Sequence, residues 1–334
     1  MTKHHQPSAH DVARLAGVSQ AAVSRAFTPG ASISQKTREK VLSAAETLGY
    51  RPNLLARSLI TGRSGIIGVV VGSTQDAVVA ATLDELLARL SEADRHILVF
   101  TTREADHADK QVEDLLKYRV DALLLMTANL SPTLAERCRE EGIPVIFFNR
   151  QFGRSRGFIT IEGNNRKGAE AIADHLVEQG YKKIGMMTGH EQSSTSHQRE
   201  VAFTNHLAKK GIELVATESG HCHRVNAIEA ARRLLDRKGR PDAVFCANDH
   251  MALAMIEVAR WEFGLEIGRE LGVAGFDDIE QSSWPSFDLT TYSYPVEDMI
   301  GQVCKLLLAD PPATKPFRKA FNGELRVRGS TRRS

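Results

Sequence analysis

No stretch of 18 or more apolar residues occurs in the chain, which excludes a conventional membrane-spanning helix. The opening residues, Met1-Thr2-Lys3-His4-His5-Gln6-Pro7, are polar with no apolar segment behind them, so a secretory signal is not expected. Cysteine is sparse. Cys138, Cys222, Cys246 and Cys304 are scattered and show no CxxC spacing, so four reduced thiols in a cytosolic protein are expected rather than a disulfide framework. The loops that cradle nucleotides or present a nucleophile are missing too: there is no GxGxxG, no Walker-type loop and no GxSxG. The hydroxyls at 193–196 are not paired, one to one, with a His and a carboxylate. His221-Cys222-His223 invites a metal reading, with both His on one face of a strand, but no second pair lies at useful spacing. His190, His197 and His206 read as loop or surface residues. An enzyme is therefore not expected, nor a metal, nor a cofactor.

What is present is ordinary globular composition over 334 residues, 42% hydrophobic and 25% charged, enough chain for two or three cores. The overall charge of +2 is unevenly placed. Residues 1–63 hold nine Lys/Arg against three Asp/Glu, a net of +6, which leaves 34 against 38 in the rest, a net of −4. A small basic segment on a mildly acidic body is the footprint of a head that meets polyanion. A basic solvated tail gives the same count, but such a tail has to be unstructured.

The order in residues 8–50 argues against a tail. Ser8 can cap a helix whose apolar side holds Ala9, Val12, Ala13 and Ala16. Gly17-Val18 breaks the pattern as a tight turn would. Ser19 can cap a second helix with Val23, Ala26 and Phe27 inward, and a third runs from Ser34 to Leu48 with Val41, Leu42, Ala45 and Leu48 apolar and Gly49 placed to end it. Two short helices about a Gly-containing turn, backed by a third, is the helix-turn-helix arrangement. The polar face of the second helix, Ser19, Gln20, Ser24 and Arg25, carries no acid. Gln and Arg can make bidentate contacts to adenine and guanine edges in the major groove. Ser8, Ser34 and Thr37 stand at helix starts, where hydroxyls and free amides can hold phosphate.

The stretch Asp11-Val12-Ala13-Arg14-Leu15-Ala16-Gly17-Val18-Ser19-Gln20-Ala21-Ala22-Val23-Ser24-Arg25 closely resembles the N-terminus of the lactose-repressor/galactose-repressor (LacI/GalR) family. So do Thr37-Arg38-Glu39-Lys40-Val41 and Leu48-Gly49-Tyr50-Arg51-Pro52-Asn53. The resemblance implies that Gln20, Ala21 and Arg25 occupy base-reading positions, Ala21 offering only a methyl group. Residues 51–64 read as a separate segment. Pro52 biases Arg51 to an extended conformation, Asn53 can cap the short stretch from Leu54 to Leu59, and a polar linker follows. A helix of some seven residues is marginal alone in water. The resemblance implies a hinge helix that folds on DNA, with Leu59 wedged into the minor groove and Ala56 in close contact; residue pattern alone favours Leu59 packing against the body.

The remaining 270 or so residues alternate apolar strand-like runs with amphipathic helical ones. Strand-like runs lie at 66–71, 96–101, 122–126, 145–148, 184–188, 214–217, 243–246 and 273–276. Helical patterns lie at 83–93, 111–117, 134–141, 169–179, 201–210, 228–237, 253–263 and 299–308. Such alternation predicts doubly wound parallel sheets, and the length predicts two of them. The fold class expected is thus an all-α helix-turn-helix DNA-binding head plus an α/β body of two doubly wound parallel-sheet subdomains. The resemblance adds that the body is of periplasmic-binding-protein-like type, with subdomain one at 65–162 plus 293–322 and subdomain two at 163–292 plus 323–330. Ligands of such sheets bind beyond the strands' C-terminal ends. Asn149, Asn248, Asp249 and Asp277 fall there, Arg199 lies just after the 193–196 loop, and by position all five match the family's effector-contacting residues. The alternative is that some of them form salt bridges or strand-end caps; Arg199 and Asp277 are the favoured ligand contacts. Trp284 and Tyr294 are read as stacking or lid residues. After the first strand the family usually carries Asn-Pro-Phe, where this chain has Asp76-Ala77-Val78, so an aromatic wall for a hexose is missing and Ser73 remains as a contact.

The function expected is a homodimeric, cytoplasmic and nucleoid-associated regulator, foremost a repressor. Its partners are double-stranded operator DNA and a small-molecule effector, a sugar, sugar acid or related metabolite, that changes operator affinity. Either sign of response suits the residues, and the resemblance favours release. No leucine heptad follows Arg326, so no tetramerising coiled coil is expected. A transported-solute binder is opposed by the basic head.

Overall fold

The computed structural model describes residues 7–27, 30–51, 63–72, 77–102, 108–126, 128–150, 157–309, 313 and 315–332. Contacts divide the chain into two compact units, residues 1–64 and 65–334.

In the first unit, α1 (Ala9–Ala16), α2 (Gln20–Ala26) and α3 (Gln35–Leu48) close around Val12, Ala13, Val23, Ala26, Val41, Ala44 and Ala45. Each helix has a local cause. Ser8 and Asp11 form a reciprocal capping box, the Ser8 amide donating to Asp11 at 3.0 Å. Ser19 accepts from the Ala22 amide and Ser34 from the Thr37 amide, both at 3.2 Å. Gly17 ends α1 in the left-handed region, φ +66°, which a side-chain-free residue adopts cheaply. Val12, Val23 and Val41 are at most 1% exposed, and each is worth about 1.5–3 kcal/mol of burial. Leu42, expected on the apolar side of α3, is exposed, and Ala44 takes the inward place. Val41, Ala44, Ala45 and Leu48 follow the helical period on one face, and Leu42, one residue past Val41, turns off it.

The second unit contains two six-stranded sheets. The first, in the order β11-β5-β4-β3-β1-β2, is parallel throughout and is built from β1 (Ile66–Val71), β2 (His96–Thr101), β3 (Ala122–Met126), β4 (Val145–Phe148), β5 (Ile159–Gly163) and β11 (Phe317–Phe321). The second, in the order β12-β10-β9-β8-β6-β7, comprises β6 (Ile184–Thr188), β7 (Ala216–Ser219), β8 (Ala243–Cys246), β9 (Gly272–Phe276), β10 (Thr290–Ser293) and β12 (Glu324–Arg326), with only β12 antiparallel. The five consecutive strands of each sheet repeat one order, a doubly wound pattern in which ligands sit beyond the strand C-termini. β3, β4 and β5 are buried at every residue, as strands covered on both faces must be.

The crossovers are α4 (Ala77–Glu92), α5 (Asp109–Leu116), α6 (Pro132–Glu140), α7 (Asn165–Glu178), α8 (Ser194–Lys209), α9 (Arg224–Leu235), α10 (Asp249–Trp261) and α11 (Val296–Leu307). Among the described residues no helix is long and apolar enough to cross a membrane. The chain passes between the sheets after β5, after β10 and after β11. Where α7 leaves the first passage, Gly168 allows close approach: a Cβ there would lie 2.6 Å from the rings of Phe276 and Tyr292.

Two local expectations change. The strand placed at 214–217 begins two residues later, because Leu214 packs against the core before pairing starts and the first ladder partner of Gly185 is Ala216. His221-Cys222-His223 lies in a turn after β7, with His221 and Cys222 at φ +50° and +60°, so its two imidazoles do not share a strand face.

Candidate functional site

The head presents one surface free of acid. Ser19, Gln20, Ala21, Ser24 and Arg25 are all exposed, because Val23 and Ala26 take the inward side of α2. Arg25 lies along its own helix, its Nε donating to the Ala21 carbonyl at 3.3 Å. Ser34 and Thr37 share a hydroxyl contact of 2.8 Å at the start of α3, and Ser8 Oγ donates to Asp11 at 2.7 Å. The Ser8 hydroxyl is thus held by its own helix's acid. Asn53, Ala56 and Leu59 fall outside the described residues, and so does Ser73.

In the body, the strand C-termini of the two sheets meet in a chain of polar contacts. Asn149, at the end of β4, adopts φ +48°, a left-handed conformation that Asn tolerates better than most residues. Its Oδ1 accepts from the Gly163 amide at 3.1 Å, and its Nδ2 donates to Tyr294 Oη at 3.0 Å. Tyr294 Oη donates to Asp277 Oδ1 at 3.3 Å, and the same oxygen accepts from Arg199 Nη2 at 3.0 Å. Arg199, from α8, also donates to Asn165 Oδ1 at 2.9 Å and to the Ala247 carbonyl at 2.6 Å, with its guanidinium carbon 3.7 Å from the Phe276 ring centroid. A guanidinium over an aromatic face in a water-poor site gains a cation–π contribution of about 2 kcal/mol. The next residue along from Asn149, Arg150, is buried and joins the sheets a second time. Its Nε donates to Asn129 Oδ1 at 2.7 Å and its Nη2 to the Gln192 carbonyl at 2.8 Å.

Four residues singled out from sequence, Asn149, Arg199, Asp277 and Tyr294, are therefore brought into one network. Asn248 lies beside it. Its Oδ1 caps α10 by accepting from the Met251 amide at 3.0 Å, and the Arg199 contact to Ala247 is one residue away. Asp249 is different. It is fully buried and accepts from Thr291 Oγ1 at 2.6 Å, Ser282 Oγ at 2.7 Å and the Ile279 amide at 3.0 Å. Burial raises its carboxyl above the usual carboxylate range. The expected ligand contact at Asp249 thus gives way to a structural tie between α10, the loop after β9 and β10. Tyr294 is 5% exposed, with its ring against Gly163 and Phe276, and so is no lid. Trp284 is half exposed at the end of the 3-10 helix Glu280–Ser283 and makes no described contact with the network.

Sequence reasoning passed over Asn165, Phe276, Gln192 and the bridging role of Arg150. Only Arg150, next to Asn149, and Phe276, next to Asp277, carried a signal by adjacency. A pocket lined by Arg139, Ile143, Pro144, Val145, Gly157, Phe158 and Ile159 lies at the opposite, N-terminal edge of β4 and β5. Among the described residues no group of His, Cys, Asp and Glu could hold a metal ion.

A helix-turn-helix unit and a body of two like-ordered parallel sheets, with polar side chains converging at their strand C-termini, define a class: a DNA reader coupled to a binding body. Residues 8–53 match bacterial regulatory proteins of the lacI family, and residues 173–331 match the periplasmic binding protein-like domain. The probable HTH-type transcriptional repressor ExuR of Bacillus subtilis (strain 168) is 31% identical over 332 residues, 97% of this chain and 98% of that protein. The HTH-type transcriptional regulator GalR of Escherichia coli (strain K12) is 30% identical over 305 residues, 90% of this chain and 88% of that one. Among solved structures, the lac repressor dimer bound to operator and the anti-inducer ONPF superposes with a TM-score of 0.86 at 26% identity, covering 98% of this chain and 100% of that one. The complex of the transcriptional regulator CelR with cellobiose gives a TM-score of 0.73 at 26% identity, covering 97% and 99%. The chain belongs to the lacI family of bacterial regulatory proteins. Like these relatives it is a DNA-binding transcription regulator rather than an enzyme.

Proposed function

We propose that this regulator is a homodimeric repressor that works in the cytoplasm on nucleoid DNA. It binds a roughly palindromic operator through α2 and is controlled by a small molecule held between its two sheets. The observation that carries the DNA half is the exposed, acid-free face of α2, with Gln20 and Arg25 able to pair with base edges. We assign residues 1–50 to the DNA-binding domain and 51–64 to a hinge, in which Asn53 caps a short helix, Ala56 makes close contact and Leu59 wedges into the minor groove. The rest forms the effector-binding and dimerisation domain, split as 65–162 plus 293–322 and 163–292 plus 323–330. Ser8, Ser19, Ser24, Ser34 and Thr37 contact phosphate or groove edges.

In the body, Asn149, Arg199, Asn248 and Asp277 contact the effector, and Ser73 is a further contact. Asp277 and Asn149 suit hydroxyl groups, and the Asn248 amide nitrogen is the atom its cap leaves to face a ligand. The lac repressor and CelR relatives, solved with small ligands, support this placement. Effector binding shifts the two sheets relative to each other, and operator affinity changes by the coupling free energy, about 1–3 kcal/mol in such systems. In vitro selection of duplexes by the purified protein, repeated with Arg25→Ala, tests the proposal. A recurring two-fold motif lost in the variant supports it; selection of no motif refutes it.

A further inference from the structure

We propose that the effector carries an anionic group, a carboxylate or a phosphate, at the end remote from Asp277, and that the imidazoles of His190 and His221 receive it. The proposal rests on the effector lying at the strand C-termini, as argued above.

Strand order sets the two ends apart. In the second sheet β9, β8, β6 and β7 are neighbours in that order and all parallel. The residues just beyond them, Asp277, Asn248, His190 and His221, therefore stand in a row along one rim. Strands lie about 4.8 Å apart, which puts His190 about 10 Å along the row from Asp277 and His221 one strand further. A ligand that spans the row meets a carboxylate at one end and two imidazoles at the other.

The turns that carry the imidazoles are tied to each other. Ser219 Oγ donates to the Gly189 carbonyl at 3.1 Å, and the His221 amide donates to Ser219 Oγ at 3.4 Å. A Cβ on Gly189 would lie 2.6 Å from Cys222 Sγ, so the two turns are in close contact. His221 itself holds φ +50°, a left-handed conformation uncommon for a residue with a side chain. The two rings stand edge to face with centroids 6.1 Å apart, and both residues are half-buried. Their nitrogens are left over. The Gln192 backbone amide donates to His190 Nδ1 at 3.2 Å, which puts the proton of a neutral ring on Nε2 and makes that atom a donor. Among the described residues, neither His190 Nε2 nor either ring nitrogen of His221 has a hydrogen-bond partner.

The surroundings favour negative charge at this end. Glu218, the acid of β7, is engaged by Arg233 at 2.7 Å, and Asp277 by Arg199 at 3.0 Å. Glu191, beside His190, is exposed. Helices α8 and α9 begin just after the two turns with no acid in the first turn, and the residue before α9, His223, makes no side-chain cap to its amides. Helix starts of this kind add positive potential. A ligand hydroxyl gains neutral hydrogen bonds from the pair, whereas an anion gains charge-assisted ones, roughly twice as strong. The site thus divides its work: Arg199, Asp277 and Asn149 read hydroxyls, and the two imidazoles read charge.

Sugars with and without the charge isolate it. The full-length protein is titrated calorimetrically with D-glucuronate, D-galacturonate and D-glucose 6-phosphate, and with D-glucose and D-galactose. At least one charged compound is expected to bind about tenfold tighter than its neutral parent, the difference between a charge-assisted and a neutral hydrogen bond. A preference confined to the uronates identifies a carboxylate, and one confined to the ester a phosphate. His190→Phe and His221→Phe keep a flat ring and remove the donors. Each is expected to lower the ratio, and the double variant to bring it to about one, whereas His190→Gln, which keeps a donor, retains part of it. The ratio is taken within one variant at a time, so a general loosening of the fold does not move it, and thermal unfolding of each variant verifies that the fold is kept. Equal affinity for charged and neutral compounds, a ratio unchanged in the double Phe variant, as for rings that only stack on the ligand, or no binding by any of the five compounds overturns the proposal. The placement of the effector is tested apart from the charge. Binding unaltered in Asp277→Asn overturns that placement, whereas binding that needs Asp277 with a ratio indifferent to both imidazoles overturns the anion proposal alone.

Discussion

Tyr294→Phe isolates the contact that joins the two sheets at the effector network. The substitution removes one oxygen and keeps the ring, so the packing against Gly163 and Phe276 stays and no cavity opens. Among the described residues two hydrogen bonds go: from Asn149 Nδ2 at 3.0 Å, and to Asp277 Oδ1 at 3.3 Å. The second has a charged acceptor but is long, and its carboxylate keeps Arg199. The first leaves a half-buried amide without that acceptor. Such losses together amount to about 1–3 kcal/mol. Urea unfolding of the full chain, followed on the transition of the larger unit, is expected to show a lower midpoint with an unchanged slope. Asn149→Ala removes the same bond from its other end. The double variant is therefore expected to cost less than the sum of the singles, by about 0.5 kcal/mol or more. Strict additivity, with Tyr294→Phe within about 0.5 kcal/mol of wild type, refutes the network.

Arg25→Ala is expected to cost about 1–3 kcal/mol of discrimination in each half-site while leaving the dimer intact; gel-shift competition against random duplex measures it, and unchanged specificity removes Arg25 from base reading. Ser34→Ala deletes the cap of α3 and is expected to destabilise the head by about 1 kcal/mol in thermal unfolding, with no change if the cap is not formed. His175, buried with its Nε2 2.7 Å from Thr331 Oγ1, is held below the usual imidazole range by burial. Its folded state binds fewer protons than the unfolded chain, so the contribution is whole above the unfolded value near 6.5 and is lost as pH falls through it. Unfolding midpoints at pH 7.5 and about 5.5 are expected to differ less in His175→Gln than in wild type; an equal difference contradicts this assignment.

The head was legible because its signals are local. Ser8, Ser19 and Ser34 sit where helices start, Gly17 and Gly49 where they stop, and small apolar residues recur on one side. The central strands were legible for the opposite reason: covered on both faces, they are continuous apolar runs. Helix starts in the body lie earlier than the apolar period suggests, as in α8, whose first turn Ser194-Thr195-Ser196 is polar and is organised by Ser193. Strand β10, Thr-Thr-Tyr-Ser, was hidden because its hydroxyls are buried against Asp249 and Thr331 rather than exchanged for apolar groups. Edge strand β11, Phe-Arg-Lys-Ala-Phe, was hidden because most of it faces solvent.

At the site, sequence located Asn149, Arg199, Asp277 and Tyr294 one by one but not their connection, since the contact between Asn149 and Tyr294 spans 145 residues of chain. It also could not separate Asn248 from Asp249. Adjacent residues at a helix start point in different directions: Asn248 caps, while Asp249 turns into the core and meets three donors.

Coupling between the head and the body is tested most directly by one titration. The protein is added to a labelled duplex carrying its selected motif, in excess random competitor, with and without a ligand that calorimetry shows to bind between the sheets. Tight binding to the motif and a shift of about 5- to 150-fold in its midpoint on adding the ligand, abolished by Asp277→Asn, is the expected result. A midpoint indifferent to a ligand known to be bound, or no preference for the motif over competitor, contradicts the account.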